Sequence, residues 1–282
     1  MTIHTRVAVR MRKTSGAAAA IAFLVTAGFV PAATPTVAAD EDMWPSLRQE
    51  VFADRPIAEN DGAVAIDAPE RAEDAATVPI TVRIPSSVKA PLKSATLIID
   101  QNPSPVAAKF TFGPAAGEGG ERSLTTRVRI DTYSYVRAVI ETSDGSLHMA
   151  KAFVKASGGC SAPAPKDIDG ASADLGKIVV RSYEPELPSS PLREAQIMIR
   201  HPNINGLQMD PISRAYTPAR FVRDLTVRRG DEVVFQMESS ISISSDPHFR
   251  FTYDNSGDGE LEVVAVDTDE AVFKGGTRHK GL

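Results

Sequence analysis

The sequence predicts an all-β protein built from two immunoglobulin-like antiparallel β-sandwiches in tandem, with a short N-terminal helix. Three observations carry this prediction. Short β-type runs recur about every ten residues and are separated by turn residues. Charged and apolar side chains alternate in the clearest runs, at 81–84 and 126–130. A small, polar, proline-bearing stretch at 161–173 divides the runs into two sets of similar texture, which favours two domains.

The elements follow in order along the chain. A helix is predicted where Trp44, Leu47, Val51 and Phe52 recur at helical spacing. Strands of the first domain are predicted at 63–66, 78–84, 95–99, 106–112, 124–130, 133–141 and 147–155. Strands of the second domain are predicted at 177–182, 194–200, 221–228, 232–237, 249–253, 261–267 and 271–274.

Residues 1–39 have the organisation of an export signal. Four basic residues between positions 6 and 13 precede an apolar run at 16–30, and small residues precede Asp40. The run is shorter than the ~20 residues of a permanent membrane helix, so we expect cleavage after Ala39, export and no membrane span in the mature protein. Cleavage would change the net charge from −5 to −9, because the leader holds four basic and no acidic residues. Such an acidic protein is a poor partner for nucleic acid or anionic lipid.

The predicted domain organisation has four parts. An export signal covers 1–39, and a first β-sandwich covers 40–160 and ends in a loop with a cysteine. A linker covers 161–173, because its small residues and prolines are typical of connecting segments. A second β-sandwich covers 174–282.

Cys160 is the single cysteine of the 282 residues. An exported protein normally pairs its cysteines. This thiol is therefore expected to be free, modified or bonded to another molecule. A lone cysteine is more often an inert core residue, but Gly158 and Gly159 precede this one and Ser161, Ala162 and Pro163 follow it. Because these neighbours disfavour a helix or strand, we predict an exposed, mobile loop that carries the thiol.

Catalytic and metal-binding uses are less favoured by the sequence. A catalytic cysteine needs a rigidly held base, and His148, His201 and His248 are all distant from Cys160 in sequence. Together with His279, these histidines show no metal-ligand spacing. No acid–base pair or cofactor signature is evident, so a protein that is not an enzyme and holds no metal or cofactor is predicted.

Several motifs, taken in order, resemble a known family. The stretch Phe-Val-Lys-Ala-Ser-Gly-Gly-Cys at 153–160 resembles the C-terminal arm of SoxY. The second half resembles SoxZ at 199–202, 206–207, 218–222, 240–242 and 246–251. Together with the segment at 67–76, both halves in one exported chain resemble the fused SoxYZ-like carriers associated with quinoprotein dehydrogenases. One departure is that SoxY ends in Gly-Gly-Cys-Gly-Gly, whereas here Ser161, Ala162 and Pro163 follow and the chain continues.

The resemblance implies a periplasmic carrier that is not an enzyme. Cys160 would hold a sulfur intermediate covalently, such as thiosulfate in a cysteine-S-sulfonate type adduct, while Gly158 and Gly159 would give the carrier arm its flexibility. Its partners would be sulfur-metabolising enzymes or a quinoprotein dehydrogenase. An alternative stays open, in which the protein is an accessory module that docks on a periplasmic PQQ-dependent dehydrogenase and the thiol is secondary. The cargo, the partner and the packing of the two domains also stay open.

Overall fold

The computed structural model describes residues 43–162, 174–185, 189–209, 214–256 and 259–277, so the predicted export signal and most of the predicted linker lie outside the described residues. No helix in these ranges is long and apolar enough to cross a membrane. The elements within them are α1 (Met43–Phe52), β1 (Ile57–Glu59), β2 (Ala65–Asp67), β3 (Val78–Ile84), β4 (Leu92–Ile99), β5 (Val106–Phe112), a 3-10 turn (Pro114–Ala116), β6 (Arg122–Val128), β7 (Ser134–Thr142), β8 (Leu147–Val154), β9 (Ile178–Tyr183), β10 (Leu192–Ile199), β11 (Val222–Arg229), β12 (Glu232–Ser239), β13 (His248–Asp254), β14 (Leu261–Asp267) and β15 (Val272–Gly276).

The predicted all-β class with a short N-terminal helix is confirmed. The strands form a nine-stranded sheet in the order β1-β8-β7-β4-β5-β12-β11-β14-β15 and a six-stranded sheet in the order β2-β3-β6-β13-β10-β9. Each half of the chain supplies strands to both sheets, so each half is itself a sandwich. Alternate burial along β3 and β6 shows how the predicted alternation places apolar side chains between the sheets.

The two halves are joined strand to strand. Strand β5 pairs antiparallel with β12, and β6 pairs antiparallel with β13, so both sheets run without a break from the first half into the second. The core is shared as well, because the ring of Phe110 lies 5.7 Å from that of Phe235 and 6.1 Å from that of Phe249. All described residues belong to one compact unit. The two halves therefore pack directly against each other, a point that the sequence left open.

Replacing Phe110 with alanine is expected to destabilise both halves together. The Phe110 side chain is 1% exposed and contacts two rings of the second half, so the loss should be about 3–5 kcal/mol in the free energy of unfolding. Urea unfolding followed by near-UV and far-UV circular dichroism should give one coincident transition. Phe153→Ala is the control, because Phe153 is only partly buried and pairs with Tyr135 within the first half. Two separate transitions would contradict a shared core.

Helix α1 covers a buried ion pair on the outer face of the nine-stranded sheet. Trp44, Leu47 and Phe52 are buried and pack in one cluster with side chains of the sheet. Beneath them, Arg137 and Asp100 are paired at 2.7 Å, and the Arg137 guanidinium lies 4.3 Å from the centre of the Trp44 ring. The helix therefore seals this pair from water, which strengthens their attraction.

Candidate functional site

Strand β8 leads directly to Cys160. Beyond the end of β8, Lys155 forms a parallel bridge to Arg71. The Lys155 N–H donates to the Glu70 carbonyl at 2.8 Å, and the Ala72 N–H donates to the Lys155 carbonyl at 3.1 Å. The segment 155–160, which we call the cysteine arm, is thus held from its first residue against the segment near residue 71.

The two glycines of the arm pack against main chain. The Gly158 N–H donates to the Asp131 carbonyl at 2.7 Å, and the Gly159 N–H donates to the Ile130 carbonyl at 3.0 Å. Gly158 has a φ of +77°, a conformation that favours glycine. A Cβ on Gly159 would lie 2.1 Å from the Ala75 carbonyl oxygen and 2.6 Å from that of Ile130. Only glycine fits at 159 while the arm is docked.

The second half of the chain holds the end of the arm. The Asn205 side chain donates from Nδ2 to the Cys160 carbonyl at 2.6 Å, and its Oδ1 accepts from the Leu207 N–H at 2.9 Å. Asn205 is 3% exposed. Because both ends of the amide are bonded, its orientation is fixed and its N–H points at the arm.

The loop that carries Asn205 is tied to strand β11 and its neighbours. The Asn203 N–H donates to His201 Nδ1, and Asn203 Oδ1 accepts from the Val222 N–H. The Ile204 carbonyl accepts from the Arg220 N–H at 2.8 Å. These bonds connect the loop that carries Asn205 to the sheet, and so they fix the position of Asn205 relative to strand β11.

The predicted exposure of Cys160 is wrong, because its thiol is buried and only 1% of the residue is exposed. The glycine pair suggests mobility in the sequence, but the absence of side chains equally permits close packing against the Ala75 and Ile130 carbonyls. The flexibility assigned to Gly158 and Gly159 stays a prediction.

Burial also changes the chemistry of the thiol. Desolvation, followed by the Asp131 carboxylate, raises the pKa of Cys160 to about 11, and the Arg129 guanidinium opposes this rise. Arg129 is itself buried, which lowers its pKa to about 10, and it donates to the Ile243 carbonyl. At neutral pH the docked thiol is therefore protonated, and the protonated form is a poor nucleophile.

The histidines considered from sequence are bonded elsewhere. His148 Nδ1 lies 2.6 Å from Asp61, His248 Nε2 lies 2.7 Å from Gln196, and His201 faces Asp267. His279 lies outside the described residues. Within the described ranges, no group of three histidine, cysteine, aspartate or glutamate side chains is placed to hold a metal ion.

Sequence reasoning located Cys160 but missed the residues that bury it. Asn205 lies 45 positions away along the chain. Ala75 and Ile130 contribute only main-chain oxygens, which any residue type could supply. No local pattern could have identified them, since the Asn205 contact depends on how the two halves pack and the Ala75 and Ile130 contacts depend on the tertiary fold of the first half.

Two family models match the chain in succession. The first, described as "Sulfur oxidation protein SoxY", matches residues 48–160, and the second, "Sulphur oxidation protein SoxZ", matches residues 187–278. No curated protein sequence is significantly similar to the chain. The SoxY match ends on Cys160, the last residue of the cysteine arm.

Solved structures include two similar chains. The sulfur carrier protein SoxY from Chlorobium limicola f thiosulfatophilum is 26% identical, with a TM-score of 0.31 over 40% of this chain and 91% of that one. A superoxide reductase (neelaredoxin) from Ignicoccus hospitalis is 16% identical, with a TM-score of 0.29 over 36% of this chain and 94% of that one. Both TM-scores are low. The two successive family matches identify the chain as a fused SoxYZ-like protein, with a SoxY domain followed by a SoxZ domain.

Proposed function

We propose that the protein is a periplasmic carrier, not an enzyme, that holds a sulfur-containing intermediate covalently on Cys160 and presents it to partner enzymes. The single observation that carries the proposal is the order of the two family matches, with the SoxY match ending on the chain's one cysteine. An export signal at 1–39, a carrier domain at 40–160, a linker at 161–173 and a mate domain at 174–282 form part of the proposal.

Carriage requires two positions of the arm. In the docked position the thiol is buried and protonated, so it is protected from oxidants and thiol reagents. To receive or deliver cargo, the arm must leave this position. Among the described residues, three hydrogen bonds hold Gly158, Gly159 and Cys160 in the docked position. Each contributes roughly 0.5–1.5 kcal/mol, so undocking is accessible at ambient temperature.

The undocked arm would reach its partners as a doubled strand. The chain continues beyond Cys160 into the second domain, so the arm is tied at both ends. If 157–173 extends, its midpoint near residue 165 reaches at most ~28 Å, about half the contour length at ~3.3 Å per residue, and Cys160, the fourth residue of the stretch, reaches at most ~13 Å. Such a reach suits an active site in an open funnel, which defines the class of partner enzyme expected.

Reaction with tetrathionate tests whether Cys160 of the folded protein can hold a sulfur-containing group covalently. The Cys160 thiolate attacks an inner sulfur of tetrathionate, a new S–S bond forms, the central S–S bond breaks, and thiosulfate leaves with the electron pair. The expected product is a cysteine-S-thiosulfonate, seen by intact mass as one added thiosulfonate group that dithiothreitol removes. Cys160→Ser should show no addition. A wild-type chain that stays unmodified after prolonged native incubation, yet reacts when unfolded, would contradict carriage by the folded protein.

The burial of the thiol favours a second candidate, an accessory module that docks on a periplasmic PQQ-dependent quinoprotein dehydrogenase. In that case the docked, protonated Cys160 would be a packing residue. Co-purification with such a dehydrogenase should then be the same for wild type and for Cys160→Ser. Sulfur adducts found on Cys160 in the native protein would argue against this candidate.

A further inference from the structure

We propose that Asn205 is a positioning residue that latches the cysteine arm, so that the second half of the chain sets how often Cys160 is presented. The latch gives the second half a defined task, which is to control the arm and not only to support the first half. Its purpose rests on the proposed carriage, while the latching itself can be tested separately.

Asn205 joins the second half of the chain to the end of the cysteine arm, which is the position that a latch requires. The other hydrogen bonds that hold the arm, within the described part of the chain, are made with the first half. The carbonyls of Glu70, Ile130 and Asp131 accept from N–H groups of the arm. The Ala72 N–H donates to the Lys155 carbonyl, and the Lys155 ammonium donates to the Glu70 carboxylate. Asn205 adds a side-chain donor from the second half, and this donor meets the carbonyl of Cys160 itself. One side chain therefore couples the state of the thiol to the second half.

The geometry of the Asn205 amide shows that this side chain makes directed hydrogen bonds and does more than fill space. Its Oδ1 is held by the Leu207 N–H, so the amide has one orientation and its Nδ2 faces the Cys160 carbonyl at 2.6 Å. The site is buried, so an oxygen at the position of Nδ2 would face the carbonyl oxygen without water to separate them. Acceptors in such contact repel each other, and the docked state would lose its stability.

Asn205→Asp is the sharpest variant, because it keeps the Oδ1 acceptor for Leu207 and replaces the donor with an acceptor. We expect iodoacetamide to alkylate Cys160 about tenfold faster at pH 8 than in wild type, as expected for loss of one buried hydrogen bond. The pH midpoint of the rate should fall by about one unit, since more of the arm is undocked and ionises freely. A merely structural defect would lower the thermal midpoint without this shift of the pH profile.

Asn255→Asp is the matched control. Asn255 also lies in the second half and also donates from Nδ2 to a main-chain carbonyl, that of Ser190 at 3.2 Å. The substitution makes the same change of charge and loses the same kind of bond away from the arm. Its alkylation rate should stay within about twofold of wild type. If Asn205→Asp fails to fold, Asn205→Ser takes its place. The serine side chain is too short to donate to the Cys160 carbonyl, so this variant also loses the hydrogen bond to the arm.

Equal alkylation rates in wild type and the Asn205 variant would overturn the latch, as would an equal rise in the Asn255 control. The outcome is distinguishable from that of the proposed function. If the Asn205 variant reacts faster but no thiosulfonate forms from tetrathionate on any folded chain, carriage fails and the latch stands. If the thiosulfonate forms and the variant changes neither the rate nor the pH profile, the latch fails and carriage stands.

Discussion

Replacing Gly159 with alanine is expected to release Cys160 from its buried position and to raise its alkylation rate at pH 8 by ~100-fold. An added Cβ would lie 2.1 Å from the Ala75 carbonyl oxygen and 2.6 Å from that of Ile130. Both contacts are to main chain, so no side chain can rotate away and the arm must leave. About three hydrogen bonds are then lost, each worth roughly 1 kcal/mol, which corresponds to about two powers of ten.

Iodoacetamide alkylation followed by intact mass measures this release, with circular dichroism to confirm that the β-sheets remain. Gly145→Ala is the control for a methyl group added away from the arm: unlike Gly159, Gly145 has a positive φ, of +86°, but a Cβ there would meet open space and the residue lies in the turn before β8. The control should cost some stability through backbone strain and leave the alkylation rate unchanged. A folded Gly159→Ala protein with the wild-type rate would show that docking does not protect the thiol.

The alkylation rate of wild type is expected to keep rising far above the pKa of a free thiol. A free cysteine ionises with a pKa of about 8.5, whereas burial and the Asp131 carboxylate raise the pKa of the docked Cys160 to about 11. Because the pKa is raised in the docked state, docking keeps its full stability below about pH 8.5 and loses it as the pH rises towards 11. The rate should therefore increase tenfold per pH unit, with a midpoint between ~10 and 11.

Rates from pH 7 to 11.5, with Cys160→Ser to subtract reactions of other side chains, measure this midpoint. In Gly159→Ala the midpoint should fall to about 8.5, because the thiol then ionises in solvent. The two midpoints should therefore differ by about two pH units. This difference matches the ~100-fold difference in rate at pH 8, because both report the same change in the docking equilibrium. A wild-type midpoint near 8.5 would contradict the buried thiol.

The fold was largely predictable because its signals are local. Alternation at 81–84 and 126–128 reports burial on one face of β3 and of β6, and turn residues mark the ends of the strands. The predicted alternation fails beyond the end of β6, where Arg129 is buried. Strand β1 was missed, since it has three residues and pairs in parallel with the distant β8. The pairing of β5 with β12 and of β6 with β13 also lacked a local signal, because register between distant strands depends on the packed core.

The site was predictable in part. The solitary thiol and its glycines at 158 and 159 marked the candidate position, because a cysteine without a partner would be chemically unusual in a chain that is exported, as the sequence predicts. The environment of the thiol was not predictable, since the same glycines serve a mobile arm and a tightly packed one. Which of the two prevails depends on Asn205 and on the carbonyl of Ala75, both brought to the arm by the tertiary fold.

The most direct measurement is the intact mass of the protein isolated from its native cells without reductant, with peptide mapping of the segment that contains Cys160. The carrier account predicts a fraction of molecules with a sulfur adduct on Cys160, removed by dithiothreitol and enriched when cells grow on a reduced sulfur compound. Chains that carry an unmodified Cys160 under every growth condition, with the thiol inert to tetrathionate in the folded state, would contradict it.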